Sequence, residues 1–180
     1  MGDPVVILTG PPGTGKTTTA RLLAATRPRG VHIEADRFFD FIAAGFVEPW
    51  KRESHEQNAM VMRVVAEAAA SYAGAGYFTV VEGIVIPRWF LGPLREALAS
   101  AGFRVSLAVL RAPLELCLDR VRTRGGSGPP DAGVIEQLWR QFADLGALEA
   151  HAIDASDAAP GELAERIAER IGGELLLTGR

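Results

Sequence analysis

Short apolar runs alternate along the chain with longer stretches of helical period. Residues 5–9, 31–34, 77–82, 104–110 and 152–155 predict five short buried strands. Residues 16–26, 88–101, 114–122, 131–150 and 160–171 carry helical spacing, and residues 36–75 form a broken helical region. Strands alternating with helices predict an α/β fold, a parallel sheet with right-handed crossovers and helices on both faces. No internal repeat or shift in composition interrupts the pattern, so residues 1–180 are expected to form one domain.

Two stretches break the alternation. Residues 45–58 mix turn formers with aromatic, charged and amide groups: Phe46, Trp50, Lys51, Arg52, His55, Glu56 and Asn58. Gly125-Gly126-Ser127-Gly128-Pro129-Pro130 is a cluster of helix breakers directly after an arginine-rich helix end. Function concentrates on loops held by a rigid scaffold, so each stretch reads either as a segment over a site or as ordinary surface loop.

Composition narrows the class. At 48% hydrophobic and 23% charged residues, the chain can bury a core and is not compositionally disordered. A net charge of −3 and a pI near 5.7 argue against a chain-wide basic surface for nucleic acid or anionic lipid, while leaving room for a local basic groove. The basic residues are seventeen arginines and only two lysines, Lys16 and Lys51. One cysteine, Cys117, forms neither an internal disulfide nor, by itself, a cysteine zinc site. The apolar runs fall short of the ~20 residues of a membrane span. No basic n-region or cleavage site precedes Val5, and Val6 stands where a myristoylation signal needs Ser or Thr. A soluble, cytoplasmic protein, monomeric or homodimeric, is expected.

The strongest chemical signal is Gly10-Pro11-Pro12-Gly13-Thr14-Gly15-Lys16-Thr17, a complete G-x-x-x-x-G-K-[ST] between a predicted strand and a helix that continues through Thr18. Glycines let backbone N–H groups converge on an anion, and the helix N-terminus adds positive potential there. Lys16 is expected to reach the β- and γ-phosphates and the Thr17 hydroxyl to ligate Mg²⁺. The same loop occurs in large ring-forming ATPases. Those also need a second helical domain and a strand ending in paired acids, whereas the third strand here ends in Glu82-Gly83.

Strand two ends in Glu34-Ala35-Asp36, and residues two apart on a strand project to one face. Both carboxylates are therefore expected in the crevice at the sheet's C-terminal edge. An alcohol that attacks a phosphoryl group needs a carboxylate to orient it or take its proton, a role assigned to Asp36; Asp36 also suits a helix cap. Glu34 and Glu82 are the candidate metal partners beside Thr17. Gly83 permits close approach of substrate to the backbone, and Arg88, at a helix start, is a candidate for binding the acceptor.

Arg120 and Arg124 lie four residues apart on one helix face, just before the Gly/Pro cluster. They read either as a solvated helix face or as lid arginines brought onto phosphoryl oxygens. Arg111, at the end of strand four, points to the same edge. The segment from Asp154 through Ser156 to Pro160 reads as a turn able to wrap a nucleotide base through its backbone, Ser156 included. No base-specific side chain is evident, so ATP is the default cofactor and GTP an alternative. His32 reads as a strand residue, and Cys117, among Leu114, Leu118 and Val121, as packing.

Together these residues resemble the small P-loop kinases of the chloramphenicol phosphotransferase-like group, and more distantly the shikimate, gluconate and nucleoside monophosphate kinases. The resemblance spans Val5 to about Ile171 and rests on the phosphate loop, Asp36, Val109-Leu110-Arg111, the Arg120/Arg124 pair and Ile153-Asp154-Ala155-Ser156. It implies a five-stranded parallel sheet of order 2-3-1-4-5, an acceptor region after strand two and an arginine-bearing lid. Arg120 then resembles the adenine-side arginine and Arg124 the phosphate-facing lid arginine. Glu34-x-Asp36 is similar to the Asp-x-Asp of shikimate kinases, but Glu82-Gly83 lacks their glycine triplet. Residues 45–58 match no monophosphate-binding pattern. A neutral or partly apolar alcohol, an antibiotic hydroxyl in its sharpest form, is the implied acceptor, with Phe39 among the aromatic residues (Phe38, Phe41, Phe46, Trp50) that read either as facing it or as core. The alternatives are a nucleotide-binding switch acting through a protein partner and a nucleic-acid 5′-end kinase.

Overall fold

The computed structural model describes residues 2–124 and 131–177, with only the backbone of Arg124. Five strands, β1 (Val5–Thr9), β2 (Gly30–Glu34), β3 (Phe78–Glu82), β4 (Val105–Arg111) and β5 (Ala152–Asp154), form one sheet in the order β2-β3-β1-β4-β5. All pairings between these strands are parallel. The helices are α1 (Lys16–Ala24), α2 (His55–Gly74), α3 (Gly92–Ser100), α4 (Leu114–Arg124), α5 (Ala132–Arg140) and α6 (Pro160–Arg170). None among the described residues is long and apolar enough to cross a membrane.

Period-two alternation sorts the strands into two apolar layers. Val5 and Ile7 join α2, α3 and α5 through Val65, Leu94 and Leu138, whereas Val6 and Leu8 join α1 and α6 through Leu23 and Ile167. Strands buried on both faces carry continuous apolar runs, which is why β1 and β4 lack polar alternation. The strand order reverses at β1, flanked by β3 and β4, and so opens a crevice at the C-terminal edge.

The three-residue β5 pairs only with Val109–Arg111 of β4. Below it the chain's own tail takes over. Leu107 N–H donates to Leu175 O (2.8 Å) and Leu177 N–H to Val105 O (2.9 Å), around an antiparallel bridge of Ser106 with Leu176.

Two helices differ from expectation. The one predicted over 131–150 stops at Arg140 and resumes only as a 3₁₀ turn at Gly146–His151. Side chains compete for its backbone there: Asp144 Oδ1 takes the Gly146 N–H and Glu149 Oε1 the Leu145 N–H, while Gly146 turns to φ +55°. The one predicted over 88–101 begins as a π turn at Pro87–Leu91 before α3, because Pro93 has no N–H for the regular ladder.

Candidate active site

The phosphate loop runs from β1 into α1 at the centre of the sheet edge. Gly10 (φ +146°) and Gly13 (φ +84°) pass so close to neighbouring backbone that a Cβ would lie 2.2 Å from Leu110 O and 2.5 Å from Cys117 O. Only glycine fits either position. α1 starts from Gly15 with no side-chain cap and no acid in its first turn, so its N-terminal amides and dipole face the loop's concavity. Thr14 Oγ1 and Lys16 Nζ both donate to Pro11 O, each at 2.9 Å, which ties the loop across itself. Lys16 is buried.

Thr17 Oγ1 donates to Glu82 Oε1 at 3.2 Å. A threonine hydroxyl whose proton points to a carboxylate turns its lone pairs outward, so this pair fits a Mg²⁺ held between the hydroxyl, water and nucleotide phosphates. Among the described residues no group of three or more His, Cys, Asp or Glu is placed to hold a metal ion. Glu34, the other expected metal partner, pairs with Arg37 at 3.2 Å, where Arg37 stands on the 3₁₀ turn Ala35–Phe41.

Asp36 lies in the first turn of that 3₁₀ segment. Its Oδ1 lies 3.5 Å from the Ile84 N–H, a long contact, and feels the charges of both Lys16 and Glu82. Asp36 is exposed to solvent, yet the protein packed around its carboxyl raises it above its ordinary value. Desolvation is the largest cause, opposed first by Lys16 and reinforced by Glu82. Asp36, Lys16 and Glu82, from three separate segments, thus share one crevice.

Gly83 makes that meeting possible. A Cβ there would stand 2.9 Å from the Ala35 Cβ and 3.2 Å from Asp36 Oδ1. Gly83→Ala is expected to displace Asp36 and lower kcat by about 10²-fold while leaving nucleotide affinity intact. Steady-state kinetics beside a nucleotide titration will check this. The connection after Gly83 is anchored to β1, since Thr9 Oγ1 accepts from Val85 N–H (3.0 Å) and donates to Val85 O (3.2 Å).

On the other side of the loop, Arg120 donates to the carbonyls of Ala155 (3.0 Å) and Ser156 (2.8 Å). It clasps the turn after β5 through backbone, and Ser156 Oγ is bonded to Asp154. Arg111 is forked onto Glu149 (2.8 and 3.2 Å), so it is held on α5's side of the sheet edge. The expected lid, Arg124's side chain and residues 125–130, lies outside the described residues.

The acceptor side needs correction at Phe39. It is buried in the core with Met62 and Val65, because the 3₁₀ turn points it inward, while Phe41 is 79% exposed and Phe46 and Trp89 are also exposed. Arg88 is exposed on the π turn. Residues 45–58 are pinned down: Gln57 exchanges hydrogen bonds with the Val47 backbone, and Ser54 and Asn58 both donate to Pro49 O. Trp50 packs partly against the core, and His55 stacks on Phe90 at 5.9 Å. Cys117 is fully buried, as packing, and burial raises its thiol pKa. The residue that sequence reasoning passed over is His32, whose Nε2 lies 3.3 Å from Glu82 Oε2. The alternation that selects Glu34 and Asp36 runs back to it.

Comparison with solved structures places this arrangement. A sugar kinase from Janibacter sp. HTCC2649 superimposes with a TM-score of 0.69 at 22% identity, covering 98% of this chain and 99% of that one. The Deinococcus radiodurans tunicamycin resistance protein gives 0.67 at 23% identity over 98% and 99% of the two chains. A gluconokinase from Sinorhizobium meliloti 1021 gives 0.65 at 18% over 94% and 97%. These identities speak for the fold. No curated protein matches the sequence. A family model described as an AAA domain matches residues 5–147, from the first strand through α5, and the chain belongs to that family.

Proposed function

We propose that the protein transfers the γ-phosphoryl group of Mg²⁺-bound ATP to a hydroxyl of a small, partly apolar molecule. The observation that carries this reading is that Asp36 and Glu82 meet the phosphate loop at one sheet edge: Asp36 Oδ1 faces the backbone that follows Glu82, and Glu82 accepts from Thr17 beside Lys16. Lys16 and the amides of the loop and of the α1 N-terminus hold the phosphates. Thr17 and Glu82 would hold the metal, which would neutralise phosphate charge. Asp36 stands on the far side of the crevice, where it orients the acceptor hydroxyl and takes its proton. Arg120 positions the turn that borders the base, and Arg124 is assigned to the transferring group.

Exposed Phe41, Phe46 and Trp89, on the segments that follow β2 and β3, favour an acceptor with apolar surface. An antibiotic alcohol fits that description, and the tunicamycin resistance protein among the fold neighbours makes it worth testing first.

The decisive experiment incubates the protein with ATP and Mg²⁺ against alcohols, sugars, nucleosides, antibiotics and 5′-hydroxyl oligonucleotides, and reads products by mass spectrometry. A mass gain of one phosphoryl group on a small alcohol, lost with Lys16→Ala, is the expected result. Phosphorylation of the oligonucleotide alone would replace the proposal with end-repair chemistry. Nucleotide hydrolysis with no phosphorylated acceptor would point to a switch.

A further inference from the structure

Glu82 is almost wholly buried, and both of its oxygens are engaged. Oε1 accepts from Thr17 at 3.2 Å and Oε2 lies 3.3 Å from His32 Nε2. A carboxylate oxygen only accepts, so His32 donates through a protonated Nε2. His32 lies on β2 opposite Val80, and the alternation of that strand turns Val31 and Ile33 into the other layer. Its ring thus lies on the face shared with α1, where Phe78 and Val80 supply apolar surroundings. The side chains are only 13% and 5% exposed, so water contributes little to holding the carboxylate's angle.

We infer that His32 is a positioning residue: its hydrogen bond to Oε2 fixes the rotation of the Glu82 carboxylate and so keeps Oε1 aimed at Thr17 and the metal's place beside it. Without that donor the carboxylate can turn about its terminal bond, and a buried oxygen loses its partner. Outer-shell donors of this kind commonly set metal affinity by about 10–100-fold. The inference rests on the nucleotide–metal part of the proposed function and is independent of which acceptor is used.

The test measures ATP binding by calorimetry in MgCl₂ and in EDTA, for the wild type and for His32→Phe, His32→Gln and His32→Asn. Gln carries its amide nitrogen near the place of Nε2; Asn carries it near that of Nδ1. In His32→Phe the factor by which Mg²⁺ tightens ATP binding is expected to shrink by about tenfold or more, with affinity in EDTA unchanged. Gln is expected to restore most of that factor and Asn little. Should His32→Phe not fold, the Gln–Asn contrast decides. Equal loss in EDTA, an undiminished Mg²⁺ factor in His32→Phe, or Asn rescuing as well as Gln would each overturn the role of His32. A wild type whose ATP binding ignores Mg²⁺ would overturn the metal reading as well, which separates the two failures.

Discussion

Asp36→Asn is expected to lower phosphoryl transfer by about 10²–10⁴-fold while leaving ATP affinity within a small factor of wild type. Asparagine keeps the shape and the oxygen that faces the Ile84 N–H, so the 3₁₀ turn and Gly83 packing survive. What disappears is the group that accepts the acceptor's proton. The wild-type rate should fall as pH drops through a carboxyl pKa above the ordinary carboxylate range, because the ionised form does the work. The residual activity of Asp36→Asn should lack that acid limb.

Stability should move the other way. An aspartate whose folded pKa is raised favours the fold below its unfolded pKa, and that contribution is lost as pH rises through the folded value. Near neutral pH the ionised Asp36 carries a desolvation cost that Lys16 offsets in part and Glu82 adds to, so Asp36→Asn should melt at or above the wild-type temperature. Thermal melts at neutral and acid pH, read beside kcat, check both halves. An active Asp36→Asn with an intact acid limb would remove Asp36 from the chemistry.

Lys16→Met should cost about 10²–10³-fold in kcat, the size typical of removing one preorganised charge from a developing anion. The unbranched stem keeps much of the packing, but Pro11 O loses its ammonium partner and the loop one of its two internal ties, with Thr14 supplying the other. This variant also carries a second signature. Lys16 is the strongest influence pulling the Asp36 pKa down, so its removal should shift the acid limb of the residual activity to higher pH. A pH–rate profile that drops without shifting would mean the two side chains act apart from one another.

The sheet was legible because both of its signals are local. Apolar runs the length of a strand, separated by helical periods, are what a doubly covered parallel sheet requires, and β1 occupies the residues of its apolar run, Val5–Thr9. The phosphate loop was legible for a different reason: Gly10 and Gly13 answer to backbone contacts that no other residue tolerates. The helix over 131–150 misled because Asp144 and Glu149 divert its amides through side-chain bonds that periodicity does not register.

On the acceptor side, Phe38, Phe39 and Phe41 look alike in sequence, and only the 3₁₀ winding decides that Phe39 turns inward while Phe41 faces solvent. Glu34 and Glu82 were equally plausible metal partners. Glu34 pairs locally with Arg37, three residues on, whereas Glu82 meets Thr17 and His32 across the fold.

The tail that lies along the start of β4 has a practical bearing on how this protein should be handled. Beyond β5 it is what occupies the hydrogen-bonding groups of Val105 and Leu107. A chain cut before Leu175 would present that stretch as an open, apolar border able to recruit strands from other molecules. Truncated versions should therefore precipitate or self-associate before they lose nucleotide binding, since the phosphate loop lies at the opposite end of the strands.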